Sequence, residues 1–297
     1  MSSLRIPSLL AAGVREDHLP ERDAWLAGLS ALIGEVASSW ELTVGEPFEP
    51  GGYCAWVAPA CTAAGDEVAL KVAWNHWEAD HEAEGLRAWD GNGAIRCLRS
   101  ATRADSTVLL LERCRPGRPL AATLAEPEQD VVIAGLLRRL WEAPVADSAP
   151  FRSLGFMCEE WAASFERRFS ADRQSLDPGV ARAGAAALRE LPAGAERAVL
   201  LCTDLHAGNV LAAEREPWLA IDPKPFVGDP AYDTVQHMLN CDERLAGDPA
   251  AMARRMAGLL DLDADRVVHW LFARCAQEAL DDPSMREPAR RLASTLP

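Results

Sequence analysis

The stretch Val199-Leu200-Leu201-Cys202-Thr203-Asp204-Leu205-His206-Ala207-Gly208-Asn209-Val210-Leu211 decides how this chain is read. An apolar run enters it, a polar loop follows and a second apolar run leaves, which reads as strand, loop, strand. Asp204 and Asn209 stand five residues apart within the loop, and further on Trp218-Leu219-Ala220-Ile221 runs into Asp222-Pro223. Taken singly, Asp204 could cap a turn and Asn209 could fill a left-handed position. Together, on the ends of short strands, two acids and an amide match the needs of phosphoryl transfer. One carboxylate orients a hydroxyl and accepts its proton, while an amide oxygen and a second carboxylate hold Mg2+ against a triphosphate.

A cation belongs to the same chemistry. Val68-Ala69-Leu70-Lys71-Val72 sets a lysine in the middle of an apolar β run, where its ammonium is costly to bury unless it meets an anion. Phosphates and a helix-borne glutamate would supply one. The helix that starts near Trp77 offers Glu82 and Glu84, and Glu82 borders the inward face because Leu86 and Trp89 follow at +4 and +7. Without such partners Lys71 would be a surface lysine with a buried stem. Gly51-Gly52, just before a strand at 53–58, could form a turn over phosphates or a plain hairpin turn. Neither a Walker-type phosphate loop nor a Rossmann fingerprint occurs.

Around these motifs the chain divides in character. A helix is expected over 21–40, with Trp25, Leu29, Leu32, Ile33 and Val36 on one face, followed by strands at 41–48, 53–58 and 67–74. Ala64-Gly65-Asp66 marks a hairpin between the last two. A helix over 77–89 stops at Gly91-Asn92-Gly93, and short apolar runs follow at 94–98 and 107–111. The proline- and glycine-bearing segment 113–119 breaks the strand pattern. Beyond it, helices are expected at 127–141, 157–169, 178–190, 231–240, 249–260 and 264–280, around a β-like island at 198–221. This predicts an α+β bilobal protein, with a β-rich lobe over 1–113 and a mainly helical lobe over 114–297.

The 297 residues are nearly half hydrophobic and carry a formal net charge of −15. That balance speaks against nucleic acid and anionic lipid as partners and is compatible with a cationic ligand, although an acidic surface also serves solubility. The eight cysteines form no C-x-x-C pair and no zinc-spaced cluster. No run approaches about 18 apolar residues and residues 1–12 lack a leader's apolar core, so a cytoplasmic protein is expected.

The sequence resembles the aminoglycoside phosphotransferase branch of the protein-kinase-like fold, and within it the streptomycin 6-phosphotransferase and hydroxyurea phosphotransferase subgroup. The resemblance spans about 40–279 and is strongest over 202–240, in the D-L-H-x-G-N motif at 204–209 and in Leu211-Ala212-Ala213-Glu214-Arg215-Glu216-Pro217-Trp218-Leu219-Ala220-Ile221-Asp222-Pro223 with Val227-Gly228-Asp229-Pro230-Ala231-Tyr232-Asp233. It implies an ATP- and Mg2+-dependent O-phosphotransferase acting on a hydroxyl of an aminoglycoside, foremost streptomycin, and conferring resistance. Asp204 would be the catalytic base or orienting acid, Asn209 and Asp222 Mg2+ ligands, and Lys71, paired with Glu82, the α- and β-phosphate contact. Gly51 and Gly52 would join the nucleotide site, and the backbone of Glu112 and Cys114 would bond the adenine edge. His206 would brace its loop. Two departures stand out: Cys202-Thr203 where many relatives have His-Gly, and Pro223-Lys224 after Asp222, with Lys224 supporting phosphate charge or pairing with Asp229.

Other residues carry two readings each. Asp229 and Pro230 look like a helix start. Asp233 either stabilises the catalytic loop or faces substrate, and Trp270 is either core or acceptor wall. Glu278 and Asp281 either meet cationic groups of the acceptor or end a solvated helix. The alternatives to an aminoglycoside kinase are a kinase for hydroxyurea or another small polar molecule, and a nucleotide-binding pseudokinase. A small hydroxylated acceptor is the expected partner, with the protein a monomer or small homo-oligomer.

Overall fold

The computed structural model describes residues 4–103, 105–146, 149–172 and 176–296. It divides into two compact units, Met1–Gly91 with Ile95–Arg115 and Asn92–Ala94 with Pro116–Pro297.

The first unit opens with helices α1 (Ser8–Asp17) and α2 (Pro20–Ser39). Its sheet has the order β1-β2-β3-β5-β4, with β1 (Leu42–Val44), β2 (Ala55–Thr62), β3 (Glu67–Trp74), β4 (Cys97–Arg103) and β5 (Ser106–Glu112) paired antiparallel. Helix α3 (Glu82–Trp89) follows β3. The expected stripe on α2 is present: Trp25, Leu29, Ile33 and Val36 join Leu10, Trp56, Leu70, Val72 and Val108 in one core. Each such side chain contributes roughly 1.5–3 kcal/mol when fully buried. The segment expected as one helix over 77–89 is a 3-10 turn at Trp77–Ala79 and then α3, because His81 takes φ 73° between them. Helix α1 was not expected; its short apolar run lacks a side-chain cap.

The second unit holds α4 (Glu126–Leu140), α5 (Leu154–Ala171) and α6 (Pro178–Glu190), then β6 (Val199–Leu201), β7 (Val210–Ala212), β8 (Trp218–Ala220) and β9 (Phe226–Gly228). Helices α7 (Val235–Leu239), α8 (Asp242–Gly247), α9 (Pro249–Leu260), α10 (Ala264–Glu278) and α11 (Arg286–Ala293) complete it. Helix α6 starts where sequence places it, because Asp177 accepts the N–H groups of Gly179 and Val180 and Pro178 occupies the first turn. Such a cap is worth about 1 kcal/mol. Two ribbons, β6 with β9 and β7 with β8, carry the loop between them. Residues 92–94 join this unit because Ala220 N–H donates to Gly93 C=O. At the seam of α6 and α10, a Cβ on Gly184 would lie 2.5 Å from that of Ala276, so only glycine permits this approach. Among the described residues no helix is long and apolar enough to cross a membrane.

Candidate active site

In the second unit, β6 ends at Leu201 and the chain turns at once: Thr203 adopts φ 52° and Asp204 N–H donates to Cys202 C=O at 2.8 Å. Asp233, 1% exposed, fixes this turn from beneath. Its Oδ1 accepts the Thr203 N–H at 2.7 Å, and its Oδ2 accepts the Cys202 N–H and the Trp141 indole N–H, each at 3.0 Å. Burial pushes the Asp233 carboxyl up to about 6, against the pull of these donors. Asp233 thus holds the loop and, enclosed as it is, offers no surface to a substrate.

The rest of the loop is braced from within. Gly208 N–H donates to His206 Nδ1 at 3.2 Å, and a Cβ at Gly208 would come within 2.8 Å of the imidazole. Asn209 donates from Nδ2 to the Asp204 carbonyl at 3.1 Å, which leaves its amide oxygen as the donor a cation could take. Ile221 N–H bonds Asn209 C=O and so ties the end of β8 to the loop. Asp222 follows in the left-handed region at φ 52°.

These ties bring Asp204 and Asp222 into one electrostatic environment. Burial raises the Asp204 pKa above the usual aspartate range; Lys224 opposes the rise, the Asp222 charge adds to it and His206 opposes it. A carboxylate so raised is a better base than a solvated aspartate. Lys224 Nζ lies 3.4 Å from Asp204 Oδ2. It does not pair with Asp229, whose Oδ2 accepts from Trp270 Nε1 and Arg266 Nε, each at 2.6 Å, while Oδ1 accepts the Ala231 N–H. Trp270 is therefore core, with no exposed surface and an edge-on contact to Tyr232, and not an acceptor wall.

In the first unit, Lys71 is 5% exposed and Glu82 3%. Lys71 Nζ donates to the two Glu82 carboxylate oxygens at 2.8 and 2.7 Å. A buried ammonium of this kind needs such an anion. Gly51 takes φ 79°, and a Cβ there would lie 2.5 Å from Pro7. The turn that contains it is tied to the N-terminal segment, through Leu9 N–H on Pro50 C=O and Arg22 on Tyr53 C=O. Glu112 spends its N–H on Arg96 C=O and its carboxylate on Arg96 N–H, so that N–H is committed within the sheet; Cys114 lies two residues beyond β5, half-buried.

On the helical side of the second unit, a cavity of about 200 Å³ is lined by Gln236, Leu239, Asn240, Arg274, Glu278, Asp282 and Met285. Glu278 pairs there with the buried Arg274, which also donates to the Tyr232 hydroxyl at 2.7 Å. Asp281 points elsewhere and pairs with Arg168 at the exposed end of α10. Among the described residues no group of three or more His, Cys, Asp and Glu is placed to hold a metal ion. A metal would instead rest on Asn209 and Asp222, two hard oxygen donors that suit Mg2+ because it keeps several waters.

A model of the aminoglycoside/hydroxyurea antibiotic resistance kinase family matches residues 41–281. The chain belongs to this family. The kinase is 37% identical to streptomycin 6-kinase of Streptomyces griseus over 94% of its own length and 91% of the relative's. It is 34% identical to hydroxyurea phosphotransferase of Kitasatospora aureofaciens, over 91% and 78%. An aminoglycoside phosphotransferase of Streptomyces rimosus, solved with ADP and streptomycin, shares its fold at TM-score 0.54 and 18% identity, covering 85% of this chain and 98% of that one. The kinase is thus a phosphotransferase of the protein-kinase-like fold.

Sequence reasoning missed two features of this kinase. One is the ion pair of Lys224 with Asp204, which depends on a return of the chain that no local pattern announces. The other is Asp130, fully buried and met by His237 at 3.0 Å, Arg244 at 2.8 Å and Arg255 at 2.7 Å. Burial alone would raise its pKa, but these three partners hold the carboxyl well below its usual range. His237 therefore serves a buried clamp between α4 and α7.

Proposed function

We propose that this kinase transfers the γ-phosphoryl group of ATP to a hydroxyl of streptomycin, and that this modification confers resistance. The observation that carries the reading is the braced loop in which the raised Asp204 carboxylate shares its surroundings with Asn209 and Asp222. Asp204 orients the acceptor hydroxyl and takes its proton as the oxygen attacks. Asn209 and Asp222 are the oxygen donors for Mg2+, which would screen the triphosphate charge. Lys71, kept in place by Glu82, contacts the α- and β-phosphates. The Gly51-Gly52 turn covers the phosphates, and the backbone near Glu112 and Cys114 meets the adenine edge. Glu278 and Asp282, in the cavity at the end of α10, suit a guanidinium-bearing acceptor by charge. The names of relatives at 34–37% identity support the streptomycin reading and also a second one, in which hydroxyurea is the acceptor.

A coupled ADP-release assay with Mg-ATP against streptomycin and hydroxyurea separates the two readings, and expression in a susceptible host tests resistance. Turnover on hydroxyurea alone replaces the first reading with the second. Nucleotide binding without transfer to any acceptor would falsify both and leave a pseudokinase. Asp222→Asn gives a separate check. Asn tolerates the left-handed backbone at this position, so folding should be kept while affinity for Mg-ATP falls at least about tenfold.

A further inference from the structure

Lys224 is fastened to the catalytic loop at three points. Its N–H donates to Cys202 C=O at 2.9 Å, its own C=O accepts the Thr203 hydroxyl at 2.5 Å, and its ammonium stands 3.4 Å from Asp204 Oδ2. Two of these bonds are backbone ties on the residues that precede Asp204, so the lysine and the carboxylate move as one body. The two side chains are 31% and 16% exposed, which places the ion pair where a substrate can still approach it. Asp229, the competing anion in sequence, is saturated by Trp270, Arg266 and Ala231.

Reaction geometry then limits what the ammonium can do. An acceptor hydroxyl bonded to Asp204 places its oxygen about 3 Å from the carboxylate, and the phosphorus it attacks lies about 3 Å beyond. A cation fixed beside that carboxylate is within a flexible side chain's reach of the phosphoryl oxygens. We propose that Lys224 is a second catalytic residue, whose ammonium turns from Asp204 to the oxygens of the transferring phosphoryl group. In the step, the hydroxyl proton passes to Asp204 and the acceptor oxygen bonds phosphorus. The bond from phosphorus to the bridging oxygen breaks, and ADP leaves with its electron pair. As Asp204 becomes neutral its hold on the ammonium weakens, which favours the turn toward the negatively charged phosphoryl oxygens. The inference rests on the proposed role of Asp204 as base.

The test compares wild type with Lys224→Met, Lys224→Gln and Lys224→Arg. Calorimetric titration with Mg-ADP and with a non-hydrolysable Mg-ATP analogue should show a loss of about tenfold for the triphosphate and little change for the diphosphate in the Met and Gln variants. Their kcat on streptomycin should fall about 100-fold or more, with recovery of at least a tenth of wild-type rate in Lys224→Arg. Melting temperatures that stay close to wild type exclude a merely structural lysine. Equal losses for both nucleotides, or a kcat within about threefold of wild type in Lys224→Met, overturn the proposal. Asp204→Asn separates the layers: full turnover in that variant removes the underlying role of Asp204. An inactive Asp204→Asn beside an unimpaired Lys224→Met removes only the role of Lys224.

Discussion

Asp233 Oδ1 accepts the backbone N–H of Thr203 at 2.7 Å, at a residue held in the left-handed region with φ 52°. With the Cys202 and Trp141 N–H groups on the other oxygen, one buried carboxylate fixes the turn that presents Asp204. Asp233→Ala leaves three buried donors without an acceptor and should cost about 3 kcal/mol. Urea unfolding measures the loss, and kcat should fall at least tenfold as the turn relaxes. A cost below about 1 kcal/mol would show that another group holds the turn.

The same carboxylate makes stability depend on pH. Burial sets its folded pKa at about 6, whereas an unfolded aspartate titrates near 3.9. The folded state holds the proton more tightly, so the contribution is complete below the unfolded pKa and is lost as pH rises through 6. Between pH 5 and pH 7 the loss should be roughly 1 kcal/mol. In Asp233→Asn this component should disappear, whatever the variant's absolute stability. Denaturant midpoints at several pH values for both proteins give the comparison, and parallel curves would remove Asp233 from the account.

Thr203 allows a backbone effect to be isolated. Its hydroxyl bonds Lys224 C=O, and both Thr203→Ala and Thr203→Gly lose that bond. Only glycine is relieved of the steric cost of a positive φ. Thr203→Gly should therefore be the more stable of the two by about 1 kcal/mol. The reverse order would mean that the turn relaxes out of the left-handed region when the hydroxyl is removed.

Charge in the cavity at the end of α10 should govern acceptor binding. Asp282→Asn keeps an oxygen for the Ser284 N–H it now caps, and Glu278→Gln keeps shape while removing charge. Each should raise KM for streptomycin about tenfold, the effect of one charged hydrogen bond. The KM for ATP, and for uncharged hydroxyurea if it is turned over, should stay within about twofold. A uniform change across all three substrates would place the acceptor elsewhere.

Local signals were readable wherever a short stretch carries its own reason for a structure. The Asp-Pro starts of α6 and α9 announce caps, and the apolar run around Lys71 announces a buried strand with an ion inside it. Strand β4 was only half visible at 94–98, because its residues Cys97–Arg103 lie at a sheet edge and need no apolar alternation. Strand β9 was hidden by its length: Phe226–Gly228 sits between prolines and reads as the approach to a helix. At the site, Asp204, Asn209 and Asp222 stood out by type and spacing. The partners of Lys224, Asp229 and Asp130 did not, since each bond joins residues that only the folded chain brings together.

The seam between α6 and α10 also bears on how this enzyme can change. With a Cβ at Gly184 only 2.5 Å from that of Ala276, and Trp270 sealed against Asp229, the inner side of α10 has almost no mutational freedom. Gln236, Asn240, Glu278 and Asp282 retain solvent-accessible surface along the cavity. With this cavity as the proposed acceptor site, selection for a new acceptor would draw its variation from these four positions, and a library spent on the buried face of α10 would return mostly unfolded chains.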